Sequence, residues 1–215
     1  MRDTSTIVRE GFDALGESYL VWQLAVDQDP RLPYLERFMS ELPDGARVLD
    51  LGCGPGVAAT ARLARRFDVT GVDISEVQLE LARARIPKAR FVQGDLCELD
   101  FPAGSFDGIT AFFVLAHTPR DEHEALLRRI AGWLSPGGLL LASFPAVARD
   151  DLVREWGGVA MYSSSHDAET TRSLLRRSGL ELVVDDVAIL RQSRGAPAYL
   201  WVIGKKSSGR DGAPS

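Results

Sequence analysis

A chain of 215 residues with 45% hydrophobic and 26% charged positions can bury a full core in one domain, which excludes a disulfide-held miniature scaffold and a disordered polyelectrolyte. Its net charge of -5, with no Lys/Arg stretch carrying interleaved aromatics, weighs against nucleic acid as a partner. Cys53 and Cys97 lack metal or redox spacing, and no run approaches the roughly 20 apolar residues that span a bilayer, so the expectation is a cytoplasmic protein with no membrane partner and no metal.

In chain order, residues 4 to 40 read as two helical segments broken near Asp27 to Leu32, with Asp29-Pro30 marking the restart. Their apolar residues Phe12, Leu15, Tyr19, Leu20 and Trp22 must cover something. Strands are expected at Arg47 to Leu51, Val69 to Asp73, Arg90 to Gln93, Phe106 to Phe113, Gly138 to Phe144, Leu180 to Leu190 and Ala198 to Gly204. Helices are expected between them, near Val57 to Arg66, Glu76 to Arg85, Arg120 to Leu134 and Ala168 to Ser178. This alternation predicts an α/β fold, a mostly parallel sheet covered on both faces. The last two strands, joined across Gly195-Ala196-Pro197 without a helix, predict an antiparallel hairpin at one edge. Residues 146 to 166 form a longer connection with Trp156, Gly157, Gly158, Met161 and Tyr162, and such stretches are often functional. The tail from Ser207 to Ser215 has little to bury and is expected to be disordered.

The most informative stretch is Val48-Leu49-Asp50-Leu51-Gly52-Cys53-Gly54-Pro55-Gly56, a buried strand entering a glycine loop that presses backbone against a ligand. The next strand ends in Asp73, placed to accept both hydroxyls of a ribose, so the ligand contains adenosine. A dinucleotide fingerprint wants a glycine where Val57 stands, and Asp50 would set negative charge beside a pyrophosphate. That carboxylate suits a ligand carrying an ammonium and a sulfonium. No Gly-Lys-Ser/Thr ending follows the loop, which excludes the usual nucleoside triphosphate cradle.

These residues resemble the class I S-adenosylmethionine-dependent methyltransferases over roughly residues 10 to 205, and a bacterial small-molecule subgroup among them. The glycine loop is similar to their first motif, Gly71-Val72-Asp73-Ile74-Ser75 to the second, and Val92-Gln93-Gly94-Asp95-Leu96 to the adenine-edge motif. Phe106-Asp107-Gly108-Ile109 resembles the start of their fourth strand and Leu134-Ser135-Pro136-Gly137-Gly138 the turn before the fifth. The resemblance implies a Rossmann-like, doubly wound, seven-stranded sheet in a single domain of residues 1 to 206. An N-terminal helical cover would occupy residues 1 to 42, and residues 146 to 166 would lie over an acceptor pocket.

It further implies that the cofactor is S-adenosyl-L-methionine, with Asp50, Gly52, Gly54 and Gly56 facing its methionine end. Asp73 would bind the ribose, Ile74 and Leu96 would sandwich the adenine, and Asp95 would accept from its exocyclic amine. Tyr19, on the covering helix, and Phe112, at the end of the fourth strand, complete the cofactor set. The expected activity is methyl transfer to a small organic acceptor at oxygen or nitrogen. The alternatives are a cofactor-binding protein that does not methylate and a nicotinamide-dependent oxidoreductase.

His117 follows the fourth strand, where the methyl should point, and is the candidate general base; Tyr162 is the second candidate catalytic residue. Thr118, Pro119 and Asp121 read as an N-cap, a first-turn proline and a capping-box partner, which would set His117 beside the positive end of a helix. That field disfavours imidazolium by roughly 0.3 to 1 kcal/mol. His123 and His166 read as packing or turn residues. Ser163, Ser164 and Ser165, where the subgroup often has a second aromatic, predict a more polar pocket wall.

Overall fold

The computed structural model describes residues 3–25, 29–189 and 197–208. A seven-stranded sheet runs in the order β3 (Arg90–Gln93), β2 (Asp68–Asp73), β1 (Arg47–Leu51), β4 (Phe106–Phe112), β5 (Leu134–Pro145), β9 (Ala198–Lys206) and β8 (Leu180–Ile189). Pairing is parallel from β3 to β5, and β9 is antiparallel to both β5 and β8. This is the Rossmann-like arrangement the sequence predicts, with Ile189 opposite Ala198 at the loop end of the last hairpin. Gly195 and Ala196 of the expected turn, Leu190, and the tail beyond Ser208 lie outside the described residues.

The period-2 alternation of each strand divides its side chains between two cores. Leu49, Leu51, Ile109, Leu140, Ala142, Leu200 and Val202 face the core that Leu126, Leu127, Ile130 and Trp133 of α5 (His123–Trp133) and Leu174 and Leu175 of α6 (Ala168–Arg177) complete. Val48, Leu139, Leu141, Trp201 and Ile203 face the other, closed by Leu35 and Phe38 of α2 (Leu32–Ser40) and Leu63 of α3 (Thr60–Leu63). Burial on both faces is why the central strands read as near-continuous apolar runs. It also leaves the carboxyl ends of β1, β2 and β4 as the place for a ligand.

Four expectations are corrected. The helix expected from Val57 to Arg66 is only Thr60–Leu63, because Gly56 at φ +78° holds the chain in turns beyond the loop. The fourth strand stops at Phe112, since Phe113 adopts φ +62°. The helix expected at Arg120 begins as a 3₁₀ turn over Arg120–Glu122, and α5 starts at His123. The connection at 146 to 166 is a second, two-stranded sheet, β6 (Arg149–Trp156) with β7 (Val159–Ser165). Trp156 pairs with Val159 across Gly157 and Gly158, both at positive φ (62° and 86°), the geometry of a two-residue hairpin turn.

This hairpin packs against α1 (Thr4–Leu24) through Val8, Leu15, Met161 and Tyr162. Helix α1 kinks at Gly16, where φ/ψ is 47°/−129°, and α4 (Glu76–Arg85) holds it from the sheet side. Gln78 Nε2 donates to the carbonyls of Phe12 (3.0 Å) and Gly16 (3.1 Å), and Ser75 Oγ donates to Asp13.

Candidate active site

A cavity of about 380 Å³ opens at the carboxyl ends of β1, β2 and β4, beneath α1. Its floor is the glycine loop. A Cβ on Gly52 would fall 2.5 Å from Val114 Cγ2, so only glycine fits where β1 passes the segment after β4. Gly54 lines the cavity and turns its N–H to Asp73 Oδ2 at 2.8 Å. Gly56 does not line it: a Cβ there would lie 2.6 Å from Ile86 Cδ1, so this glycine admits α4 against the loop.

Asp73 ends β2 and accepts a second backbone bond from Ser75 N at 3.0 Å. Burial pushes its carboxyl up to about 6, against the backbone donors of Ser75 and Gly54 that hold it down, and the nearby Asp50 charge adds to the rise. The two backbone donors therefore do not fully compensate the ionised form, and hydroxyl donors from a ligand would stabilise it. Ile74, Asp95, Leu96 and Phe112 line the same cavity. Asp95 Oδ1 accepts from Cys97 N at 2.8 Å, which closes a turn after β3 and fixes the loop that presents Leu96.

Asp50 is 3% exposed, and its two oxygens accept from Thr60 Oγ1 (2.6 Å) and Thr110 Oγ1 (2.7 Å). Burial raises its pKa, opposed by those hydroxyls and by Arg31. It borders a small recess shared by Tyr19, Gln23, Arg31, Gly52 and Phe112, adjoining the main cavity. Arg31 is held by Asp29 at 2.8 Å, and Gln23 Oε1 is buried with no hydrogen-bond partner. An orphaned carbonyl oxygen beside a buried carboxylate and a guanidinium matches a ligand end carrying both an ammonium and a carboxylate. Sequence reasoning missed Gln23 and Arg31, which flank the break between α1 and α2 where no periodic pattern marks them.

His117 lines the cavity, closing the short 3₁₀ turn Val114–His117. Its Nδ1 lies 2.9 Å from the carbonyl of Tyr162; a carbonyl only accepts, so Nδ1 carries the proton and Nε2 presents a lone pair. Phe12 packs edge-on against the ring at 5.4 Å. Burial lowers the pKa of His117, the Tyr162 carbonyl opposes that, and the Arg154 charge adds to the lowering. The shift runs in the expected direction, but its cause is desolvation and not a helix end. Thr118 does not cap: its Oγ1 donates to the Leu115 carbonyl, and Pro119 is extended at ψ 134°.

Tyr162 is 3% exposed, its hydroxyl donating to Asp151, and burial with that carboxylate pushes its pKa up to about 12. It packs in the cover and is not among the cavity-lining residues; what it supplies to the site is the carbonyl that orients His117. Ser164 and Ser165 donate to the carbonyls of Thr118 and Val147 and, with Ser163, do not line the cavity, so they tie the hairpin down and make no polar wall. His123 and His166 bond the carbonyls of Thr118 and Arg120, as packing and turn residues should. Phe12 and Tyr19, 5.3 Å apart, line the cavity instead, and Trp156 (5.9 Å from Tyr19) and Trp22 (6.0 Å from Trp156) extend that aromatic cluster away from it. Among the described residues no cluster of three His, Cys, Asp or Glu converges as a metal site.

Residues 48–138 match a family model described as a methyltransferase domain. The chain is 43% identical over 107 residues to trans-aconitate 2-methyltransferase of Variovorax paradoxus, covering 48% of this chain and 40% of that protein. It is 39% identical over 160 residues to 27-O-demethylrifamycin SV methyltransferase of Amycolatopsis mediterranei, covering 66% and 57%. The matches thus span about half the length of the curated relatives. Among solved structures, 1,6-didemethyltoxoflavin-N1-methyltransferase of Burkholderia thailandensis, with bound 1,6-didemethyltoxoflavin and S-adenosylhomocysteine, superimposes with a TM-score of 0.72 at 24% identity, covering 94% of this chain and 88% of that one. A SAM-dependent methyltransferase of Methanosarcina mazei gives 0.71 at 18% identity, covering 86% and 100%.

Proposed function

The chain belongs to the class I S-adenosylmethionine-dependent methyltransferase superfamily, and from that premise we propose that it binds S-adenosylmethionine and methylates a small organic acceptor. The observation that carries this reading is Asp73, a half-buried carboxylate at the end of β2 held by Gly54 N and Ser75 N at the floor of a cavity of about 380 Å³. When bound, the sulfonium supplies an already activated methyl group. Asp73 accepts from the ribose hydroxyls, Asp95 from the adenine amine, and Ile74 and Leu96 take the faces of the base. Arg31 pairs with the methionine carboxylate, while Asp50 and the orphaned Gln23 oxygen compensate its ammonium.

His117 Nε2, kept unprotonated by burial, takes the proton that a hydroxyl or amine acceptor loses. Phe12, Tyr19 and Trp156 exclude water from that encounter. The described residues lining the cavity include Asp3, Asp73, Asp95, Glu98 and Glu122 and no Lys or Arg, although the exposed Arg154 of β6 acts on His117 from outside. This charge favours an acceptor without carboxylates over a tricarboxylate such as trans-aconitate.

The full chain incubated with S-adenosylmethionine and matched phenols, amines and trans-aconitate tests the reading. Formation of S-adenosylhomocysteine together with methylated product is expected. Failure of S-adenosylhomocysteine to bind overturns it, as does binding without product from any acceptor. His117→Ala should lower kcat by about a hundredfold or more, within the range for a general base. Affinity for S-adenosylhomocysteine should hold, and the loss should shrink at high pH where a phenol ionises unaided.

A further inference from the structure

Two walls of the cavity come from different parts of the chain. One is the turn after β3, carrying Asp95, Leu96, Cys97 and Glu98; the other is the segment after β4, from Val114 through His117 to Glu122. Helix α5 begins directly after the second wall and reaches back to the first. Arg129 Nη1 donates to the Cys97 carbonyl at 2.7 Å and Nη2 to the Leu96 carbonyl at 2.8 Å. One helical turn on, Trp133 Nε1 donates to Asp100 Oδ1 at 3.2 Å. Within the loop, Cys97 N and Leu99 N bond Asp95 Oδ1 and Asp95 O at 2.8 and 2.9 Å.

The loop thus has its own turn geometry, but two of its carbonyls depend on a single guanidinium. Arg129 Nε is buried with no hydrogen-bond partner, so the hydrogen bonds made by its planar fork all lie at the terminal nitrogens that face the loop. The guanidinium gives each of the two adjacent carbonyls its own nitrogen, a planar two-point contact that the single nitrogen of an ammonium does not reproduce. We propose that Arg129 is a positioning residue for base recognition: by clamping Leu96 and Cys97 to α5 it fixes the Asp95 carboxylate and the Leu96 side chain against the adenine. The proposal rests on the cofactor reading given above. Arg129 touches no ligand; it acts through the loop.

The signature of this role is selective. A loosened loop loses the Asp95 contact with an exocyclic amine, while a base that has a carbonyl there never had the contact to lose. The test is calorimetric binding of S-adenosylhomocysteine and S-inosylhomocysteine to the full chain, to Arg129→Lys and to Trp133→Phe. Wild type is expected to prefer the adenosyl ligand. In Arg129→Lys that ligand should bind about tenfold more weakly, the equivalent of one charge-assisted hydrogen bond. The inosyl ligand, which has only the Leu96 contact to lose, should weaken by clearly less, so the preference narrows. Trp133→Phe, which removes the Asp100 anchor and some core volume but leaves Arg129 in place, should show the same selective loss in smaller measure. Equal weakening of both ligands, or an unchanged preference in both variants, overturns the assignment to Arg129. Absence of S-adenosylhomocysteine binding to wild type instead overturns the cofactor reading itself.

Discussion

Asp73 carries a charge that the fold holds at a cost. Burial pushes its carboxyl from the ordinary 3.8 up to about 6, so ionisation opposes folding. The stability it influences is intact below about 4 and is eroded as pH rises towards 6. Ribose hydroxyls donate far more strongly to the ionised form, so cofactor affinity runs the other way and falls as pH drops through 6. With a folded value near 6, the dissociation constant of S-adenosylhomocysteine should be about tenfold weaker at pH 5 than at pH 7. Calorimetry from pH 5 to 8 measures it. Asp73→Asn should bind more weakly at neutral pH and flatten the profile, which separates Asp73 from the neighbouring Asp50, Asp95 and His117. A flat wild-type profile would remove Asp73 from the ribose.

The β6–β7 hairpin shows what one element adds and why part of it was hidden. Gly158 sits at φ +86° with nothing within 4 Å of an added Cβ, so Gly158→Ala probes backbone strain alone. A left-handed alanine costs about 1–2 kcal/mol, and at this chain length each kcal/mol lowers Tm by about 2–4 °C. A thermal melt should show that drop; an unchanged Tm would mean the turn is not held in this geometry. The sheet strands were legible because double-sided burial writes unbroken apolar runs such as Leu139 to Ala142. Strand β6 is exposed along nearly its whole length, so no alternation marks it, and only the Gly157-Gly158 pair signalled the turn. The capping reading at Thr118 failed because its hydroxyl finds the Leu115 carbonyl first, a competition local sequence does not reveal. In the site, Asp73, Asp95 and His117 were legible from their strand ends. Gln23, Arg31 and Arg129 were not, since each acts across the tertiary fold.

At the scale of the whole molecule, the cover and the sheet are joined by one buried amide. Gln78 is fully buried on α4, and its Nε2 serves the carbonyls of Phe12 and Gly16 on either side of the α1 kink. Three residues before α4 begins lies the carboxylate of Asp73, whose Oδ1 accepts from Ser75 N, while Ser75 Oγ reaches Asp13 of α1. The floor of the cavity and the helix carrying Phe12 and Tyr19 therefore share a single bracket. Gln78→Leu keeps the side-chain volume and leaves both α1 carbonyls without their donor, a loss of about 1–3 kcal/mol. That loss falls on the docking of α1, because the sheet's own ladders do not involve Gln78. Hydrogen exchange should show the amides of α1 losing protection while those of β1, β4 and β5 keep theirs. S-adenosylhomocysteine should bind more weakly, since Tyr19 closes both the cavity and its recess. Uniform loss of protection across α1 and the sheet would show that cover and sheet unfold as one unit, and would place the bracket inside the core instead of between two parts.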